Sequence, residues 1–285
     1  MSQIIKRKSD FIFYTVTFVF LVALLVIVLF PIFYALIGSF KSNREILAGT
    51  NFFPEKLSLD NYIQAWTIAD FKKYTFNSVY YSFFVVAASL ITSSMGGYVF
   101  SRGNFPGKKV LFGIFSSTMF ITLGSISIYP TLQIAKLLHI NNSLWGVILV
   151  HCFGINITNI YLVRGFVNSL PKELDESAKL DGCGFFRIFW QIILPLLKPV
   201  IATIGILSFK GAWNEYLLPM VFTMGNPDQA PLPVGLVALK GSSEAAAAWN
   251  LILAGAMISI VPMMIVYLCF NKYFVKGMTT GAVKG

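Results

Sequence analysis

Six runs of the chain, 11–40, 74–100, 110–135, 143–167, 200–224 and 249–272, are long and apolar enough to supply the ~20 residues a helix needs to cross a bilayer. They predict an all-α polytopic membrane protein with about six transmembrane helices. Composition agrees, because 56% of the 285 residues are hydrophobic and 12% are charged, against roughly a quarter charged in soluble domains. The first run exceeds the ~7–15 apolar residues of a signal peptide and no small-residue cleavage site follows it, so it is expected to be an uncleaved anchor.

The formal net charge of +10 does not point to nucleic acid, because the bases are scattered among apolar runs and form no patch. Membrane topology accounts for them. With the N-terminus inside, fourteen Lys and Arg residues fall in the inner segments and seven in the outer ones, with Lys210 left inside a span. The excess places both termini in the cytoplasm. Cys152, Cys183 and Cys269 are odd in number, widely spaced and without a CxxC pair, which argues against a disulfide framework or zinc. His139 and His151 belong to no HExxH or triad arrangement, so no catalytic residue and no metal site is expected. The turn 101–109, SRGNFPGKK, contains Gly-Lys but is no P-loop, since the first glycine is displaced and no Ser or Thr follows the lysine. Energy must come from elsewhere.

On this topology the segment 170–199, LPKELDESAKLDGCGFFRIFWQIILPLLKP, is a cytoplasmic loop between the fourth and fifth runs. It opens as a short helix: Pro171 suits a first turn, Glu173, Asp175 and Glu176 oppose the positive end of the dipole, and Lys179 and Gly182 mark the stop. Leu174, Ala178 and Asp181 fall on one stripe, which predicts a small docking face ringed by charge. A second helical run, 185–194, is apolar enough to lie against the membrane boundary, and Pro195 and Pro199 mark where the next span starts.

Inside the spans, Thr203, Lys210 and Asn214 share one helical stripe. Lys210 near mid-span should face the bundle interior or a watery cavity, where its insertion cost of ~2.5–3.5 kcal/mol is relieved. Glu215 lies about 140° around the helix from Lys210 and is badly placed to pair with it. Span four adds His151, Asn156, Thr158 and Asn159, which serve either interhelical hydrogen bonds or a substrate path. Glycines at 96, 97, 146, 154, 205 and 255, with Pro262, suit close helix packing and kinks. In the outer loop 41–73, a short helix is expected near 60–68, and Phe52, Phe53, Tyr62 and Trp66 serve an interfacial belt or a partner contact. The stretch 225–244, rich in proline and glycine, reads as a second outer loop.

Several of these residues carry a family resemblance. Glu176-Ser177-Ala178, three residues, Gly182, nine residues and Ile192-x-Leu194-Pro195 resemble the EAA loop of membrane subunits of binding-protein-dependent ABC importers, with Ser177 in place of the middle alanine. Trp213-Asn214-Glu215-Tyr216-Leu217, with Pro219 following, is similar to the fifth-span motif of sugar-importer permeases. The tail 274–285, ending Gly281-Ala282-Val283-Lys284-Gly285, resembles that of the carbohydrate branch, the branch of the maltose transporter's smaller membrane subunit. The resemblance covers essentially the whole chain. It implies a type I importer permease fold in a bacterial cytoplasmic membrane, with residues 1–70 as anchor helix and outer loop and 71–285 as a core of five spans. It further implies a second homologous permease, two ATPase subunits that bind ATP and Mg, and an external solute-binding protein. Leu174, Glu176, Ser177, Ala178, Asp181, Gly182, Ile192, Leu194 and Pro195 would then form the ATPase-coupling loop, and residues 281–285 a tail contact with the ATPase.

This chain itself is expected to hold no cofactor. A sugar path would need hydrogen-bonding side chains and aromatic platforms, for which Asn156, Asn159, Lys210, Asn214 and Glu215 are the candidates. An ion-coupled secondary transporter or channel is the alternative, with Lys210 and Glu215 as relay. The EAA-like loop and the lack of visible inverted repeats with broken helices speak against it.

Overall fold

The computed structural model describes residues 2–67, 69–121, 124–239 and 248–282, with residues 2–10, 12 and 271–282 described by their backbone alone. Among the described residues every regular element is helical. They group into two compact units, one drawn from 1–71 and 236–259, the other from 72–235 and 260–285.

The first unit holds α1 (Ser2–Gly38), α2 (Asn43–Ala48), α3 (Asp60–Thr67) and the start of the last helix. The most apolar window of α1 buries nothing against the rest of the chain. A span hydrophobic all round can do this only in lipid or against another protein. The chain turns after α1 because Ser42 and Glu45 form a reciprocal capping box at α2, and Gly49 at φ +64° ends that helix. Asn61 on α3 donates to the carbonyls of Ser39 and Lys41, both at 2.8 Å, and accepts from Asn250 at 2.8 Å. One buried amide thus joins three segments.

The spine of the second unit is α4 (Phe71–Arg102), a single unbroken helix from residue 72 onward in that unit. It supplies Tyr98 to a core with Val163, Val167, Ala178, Ile188, Phe189, Ile193 and Leu197. Tyr81 and Val85 enter a second core with Leu144, Val147, Ile148, Ala212 and Phe222. A β-carbon on Gly97 would come within 2.4 Å of Val163, and one on Gly146 within 1.9 Å of the Ile140 carbonyl. These two glycines permit close backbone approach, whereas Gly205 faces open space.

The remaining spans are less regular than their hydropathy suggests. The third run is divided into α5 (Lys108–Ser117) and α6 (Ile128–Leu137), ten residues each, with short 3-10 turns between them. Gly124 sits there at φ +52°, and Pro130 occupies the first turn of α6, where a missing N–H is tolerated. The fourth run is bent by 41° between α7 (Leu144–Phe153) and α8 (Ile157–Ser169). After α9 (Glu173–Leu180) come α10 (Phe185–Ile188), a π-helical turn Phe189–Ile193 and α11 (Leu194–Leu196). The wide turn stands just before Pro195, which cannot donate to the ladder. A bend of 79° follows, leading to α12 (Lys198–Trp213), with Pro199 in its first turn.

The fifth run does not continue to residue 224 as one helix. Pro219 would set its ring against the carbonyl of Glu215, so α12 stops at Trp213 and α13 (Leu217–Thr223) starts anew. Among the described residues, three helices can cross a membrane by length and composition, or up to five if each bent pair is one span. The stretch 225–231 is pinned by side chains: Asn77 donates to the carbonyls of Asp228 and Ala230 at 2.9 Å, Lys73 pairs with Asp228 at 2.7 Å, and Gln229 accepts from Ser143 and the Leu144 amide, both at 2.9 Å. α14 (Leu232–Ala238) and α15 (Trp249–Ala282) complete the order, α15 starting in the first unit.

Candidate functional site

Two of the helix breaks in the second unit open onto one cavity of about 700 Å³. Gly154, Ile155 and Asn156 at the α7–α8 break line it, with Glu215 from the break after α12. Val85, Ser89 and Thr92 contribute from α4, and Leu207, Ser208, Gly211 and Ala212 from α12. The α12 positions follow the i, i+1, i+4, i+5 spacing of one helix face.

Its polar groups are ordered by one another. Asn156 caps α8, accepting from the Asn159 amide at 3.1 Å. The Asn159 side chain donates to Ser89 at 3.1 Å and to Ser208 at 3.3 Å, and the two hydroxyls share a hydrogen bond of 2.9 Å. That triangle ties α4, α8 and α12 together beside the cavity. Tyr81 donates to Glu215 at 2.5 Å, and His151 Nε2 lies 2.9 Å from the same carboxylate oxygen. Glu215 therefore meets neighbouring spans rather than Lys210.

The structure divides the five path candidates. Asn156, Asn159 and Glu215 line the cavity, and Lys210 and Asn214 do not. The latter two are exposed on another side of the helix, where Asn214 donates to the Lys210 carbonyl at 2.9 Å. Thr203, expected on the same stripe, is buried and bonded to the Pro199 carbonyl. Helical angle placed these three together, but packing gives them different surroundings. Among the described residues lining the cavity none is Phe, Tyr or Trp, so the expected aromatic platform is missing from this wall. Ser89, Ser208 and His151 complete a lining rich in hydroxyl, amide and imidazole groups. Isolated serines in apolar helices gave little to single them out.

At the inner loop, α9 forms as its punctuation predicts, though Pro171 lies before the helix rather than in it. Glu173, Asp175 and Glu176 occupy the first turn, Gly182 adopts φ +78°, and the Cys183 amide closes back onto the Ala178 carbonyl at 2.9 Å. The predicted docking stripe is split. Ala178, its centre, is 4% exposed and packs into the α4 core, while Leu174 and Asp181 face outward. Glu176, Ser177 and Lys179 are exposed as well, and Leu180, absent from the predicted face, is 90% exposed. Asp175 turns inward to Arg102, which pulls the adjacent Ala178 under the helix. Ile192 and Leu194 pack partly against the same core, and Pro195 is exposed. The tail residues Val283, Lys284 and Gly285 lie outside the described residues, and Gly281 and Ala282 are described only as the end of the α15 backbone.

Residues 2–280 match the family described as binding-protein-dependent transport system inner membrane component. The chain is 32% identical over 286 residues to the arabinooligosaccharides transport system permease protein AraQ of Bacillus subtilis, covering 99% of this chain and all of that protein. It is also 32% identical to the galactooligosaccharides transport system permease protein GanQ of the same organism, over 94% of this chain and 95% of that one. A chain from the crystal structure of a bacterial ABC transporter involved in the import of the acidic polysaccharide alginate superposes with a TM-score of 0.81 at 28% identity, covering 93% of this chain and 98% of that one.

Proposed function

The chain belongs to the binding-protein-dependent transport system inner membrane components, and on that premise we propose that it is a permease subunit of an ATP-driven sugar importer, forming half of the translocation pathway. The observation that carries this reading is the polar cavity at the two helix breaks, in the same unit as an outward-facing acidic helix. A wall of serine, threonine, asparagine and carboxylate oxygens suits a polyhydroxylated solute, whose hydroxyls both donate and accept. Relatives named for arabino- and galactooligosaccharide transport support sugar as the cargo.

The spans of one chain are too few to enclose such a path, so a second related permease closes it. Lys210 and the missing aromatic platform then find their counterparts on that partner. An external binding protein delivers the sugar. Two cytoplasmic ATPase subunits bind ATP and Mg and receive the exposed face of α9, with both termini of the chain on their side of the membrane. Closing of the ATPases moves α9, and the bundle tilts between inward-open and outward-open arrangements.

The His151–Glu215 contact favours a second reading as an ion-coupled transporter, and the broken helices remove one sequence argument against it. One experiment separates them. The complex is purified from its native membrane, its co-eluting subunits are identified, and the sugar that raises the binding protein's melting temperature is offered to reconstituted vesicles. Uptake that follows ATP and ignores an uncoupler supports the importer; uptake abolished by the uncoupler without ATP dependence overturns it.

A further inference from the structure

The last two turns of α4 grip the inner loop and the end of α8 that leads into it. Tyr98, 2% exposed, sets its ring 4.5 Å from that of Phe185 and 5.2 Å from that of Phe189, and its hydroxyl donates to the Phe185 carbonyl at 3.3 Å. Ser101 donates to the Asn168 side chain at 2.6 Å. Arg102 donates to the Leu170 carbonyl at 2.8 Å and pairs with Asp175 at 2.9 Å, the two side chains only 9% and 8% exposed. A buried pair of this kind is costly to break, because either partner left alone is an uncompensated charge. It also has direction: one guanidinium reaches both the segment leading into α9 and the first turn of α9.

The same helix runs without interruption to the cavity. Ser89 and Thr92 line that cavity, and Tyr81, two turns further, holds Glu215. From Arg102 to Ser89 an α-helix covers about 20 Å. Along the chain, α9 reaches α12 through α10, the π-helical turn, α11 and a 79° bend, a less direct route than one straight helix, although Val200 and Ile204 of α12 share the core that covers Ala178.

We infer that α4 is the rod that carries displacement of α9 to the cavity wall, and that Arg102 and Asp175 are the positioning pair that makes α9 move with α4 instead of sliding across it. This rests on the transport reading above. It assigns a role to a residue of the 101–109 turn, which sequence motifs left without one.

The test uses the whole complex with Mg-ATP and vanadate as the probe, after replacing the free Cys152, Cys183 and Cys269 with alanine. A cysteine at exposed Thr92 reports the cavity by its rate of labelling with a water-soluble maleimide. In the otherwise unaltered complex, trapping of nucleotide should change that rate by about tenfold. R102M and D175N should still trap nucleotide yet lose the change, and the double variant should be no worse than either single one. Retention of the full response in R102M overturns the inference. If R102M does not assemble, a second arm decides: S101C with N168C, oxidised to a disulfide between α4 and the end of α8 that runs into α9, should trap nucleotide as fast as when reduced, since α4 and the segment that carries α9 do not move relative to each other. A cross-link that blocks trapping overturns this inference alone, whereas a chain that recruits no ATPase overturns the transport reading and this inference with it.

Discussion

Gly97 and Gly205 show how differently one residue type is used in neighbouring helices. An alanine at Gly97 would place its β-carbon within 2.4 Å of Val163 and 3.0 Å of the Arg164 amide nitrogen, and at Gly205 it would meet nothing within 4 Å. G97A should destabilise the purified chain by about 1–3 kcal/mol through overpacking. G205A, in mid-helix with room for its methyl group, should instead stabilise it by about 0.5–1 kcal/mol. Thermal unfolding in one detergent compares them. Glu45 gives a pH dependence of known sign. The Glu55 amide, then the Ser42 hydroxyl and amide, hold its carboxyl at about 2, below the ordinary 4.5. A lowered folded pKa means that the capping contribution is whole above about 4.5 and fades as the pH falls toward 2. Protection factors of the Asn43–Ala48 amides, corrected for the intrinsic pH dependence of exchange, should therefore fall as the pH drops across that window and be flat above it; E45Q should remove the dependence. Asn159 bonds to two serines on two other helices, and interhelical bonds of this type contribute about 0.6 kcal/mol each. N159L should accordingly cost little in melting temperature while lowering uptake, and an unchanged uptake rate would detach the triangle from the transport path.

The helix α9 is the element whose sequence and structure agree best in outline and differ most in orientation. Local rules govern its ends: acids at the positive end of the dipole and a glycine at φ +78°. A leucine at Gly182 would have to enter the left-handed region, at about 1–2 kcal/mol, and would misdirect the chain leading to Phe185. G182L and E176K should leave the chain in the membrane but lose co-purification with the ATPase. L180E should do the same, because Leu180 is the most exposed apolar side chain of that helix. Co-purification and sugar-stimulated ATPase activity preserved in all three would exclude this surface as the contact. Which face of α9 turns outward was not legible, since an eight-residue helix with Leu174, Ala178 and Leu180 has more than one apolar side. The buried Arg102–Asp175 pair made the choice. The breaks after Phe153 and Trp213 belong to the same class. Pro219 could have signalled the second; the first has only Gly154 and the capping Asn156 to mark it.

For the chain as a whole, the 41° bend between α7 and α8 and the break after Trp213 turn what hydropathy shows as straight rods into walls around a cavity. The expectation that belongs here is composite: uptake by the reconstituted assembly should require ATP and the binding protein and should vanish when either is withheld. Uptake by this chain alone would contradict an unfinished pathway. Amino-acid order alone determined that the chain is helical, that it lies in a membrane, where its long apolar runs fall and how α9 is punctuated, because each depends on residues adjacent in the chain or one helical turn apart. Only the tertiary structure decided that Asn156, Asn159 and Glu215 share a cavity while Lys210 and Asn214 stand outside it, and that Ala178 is covered. Those outcomes depend on which faces of separate helices meet, and meeting is set by close contacts such as Gly97 against Val163 and by buried pairs such as Tyr81 with Glu215, between residues far apart in the chain.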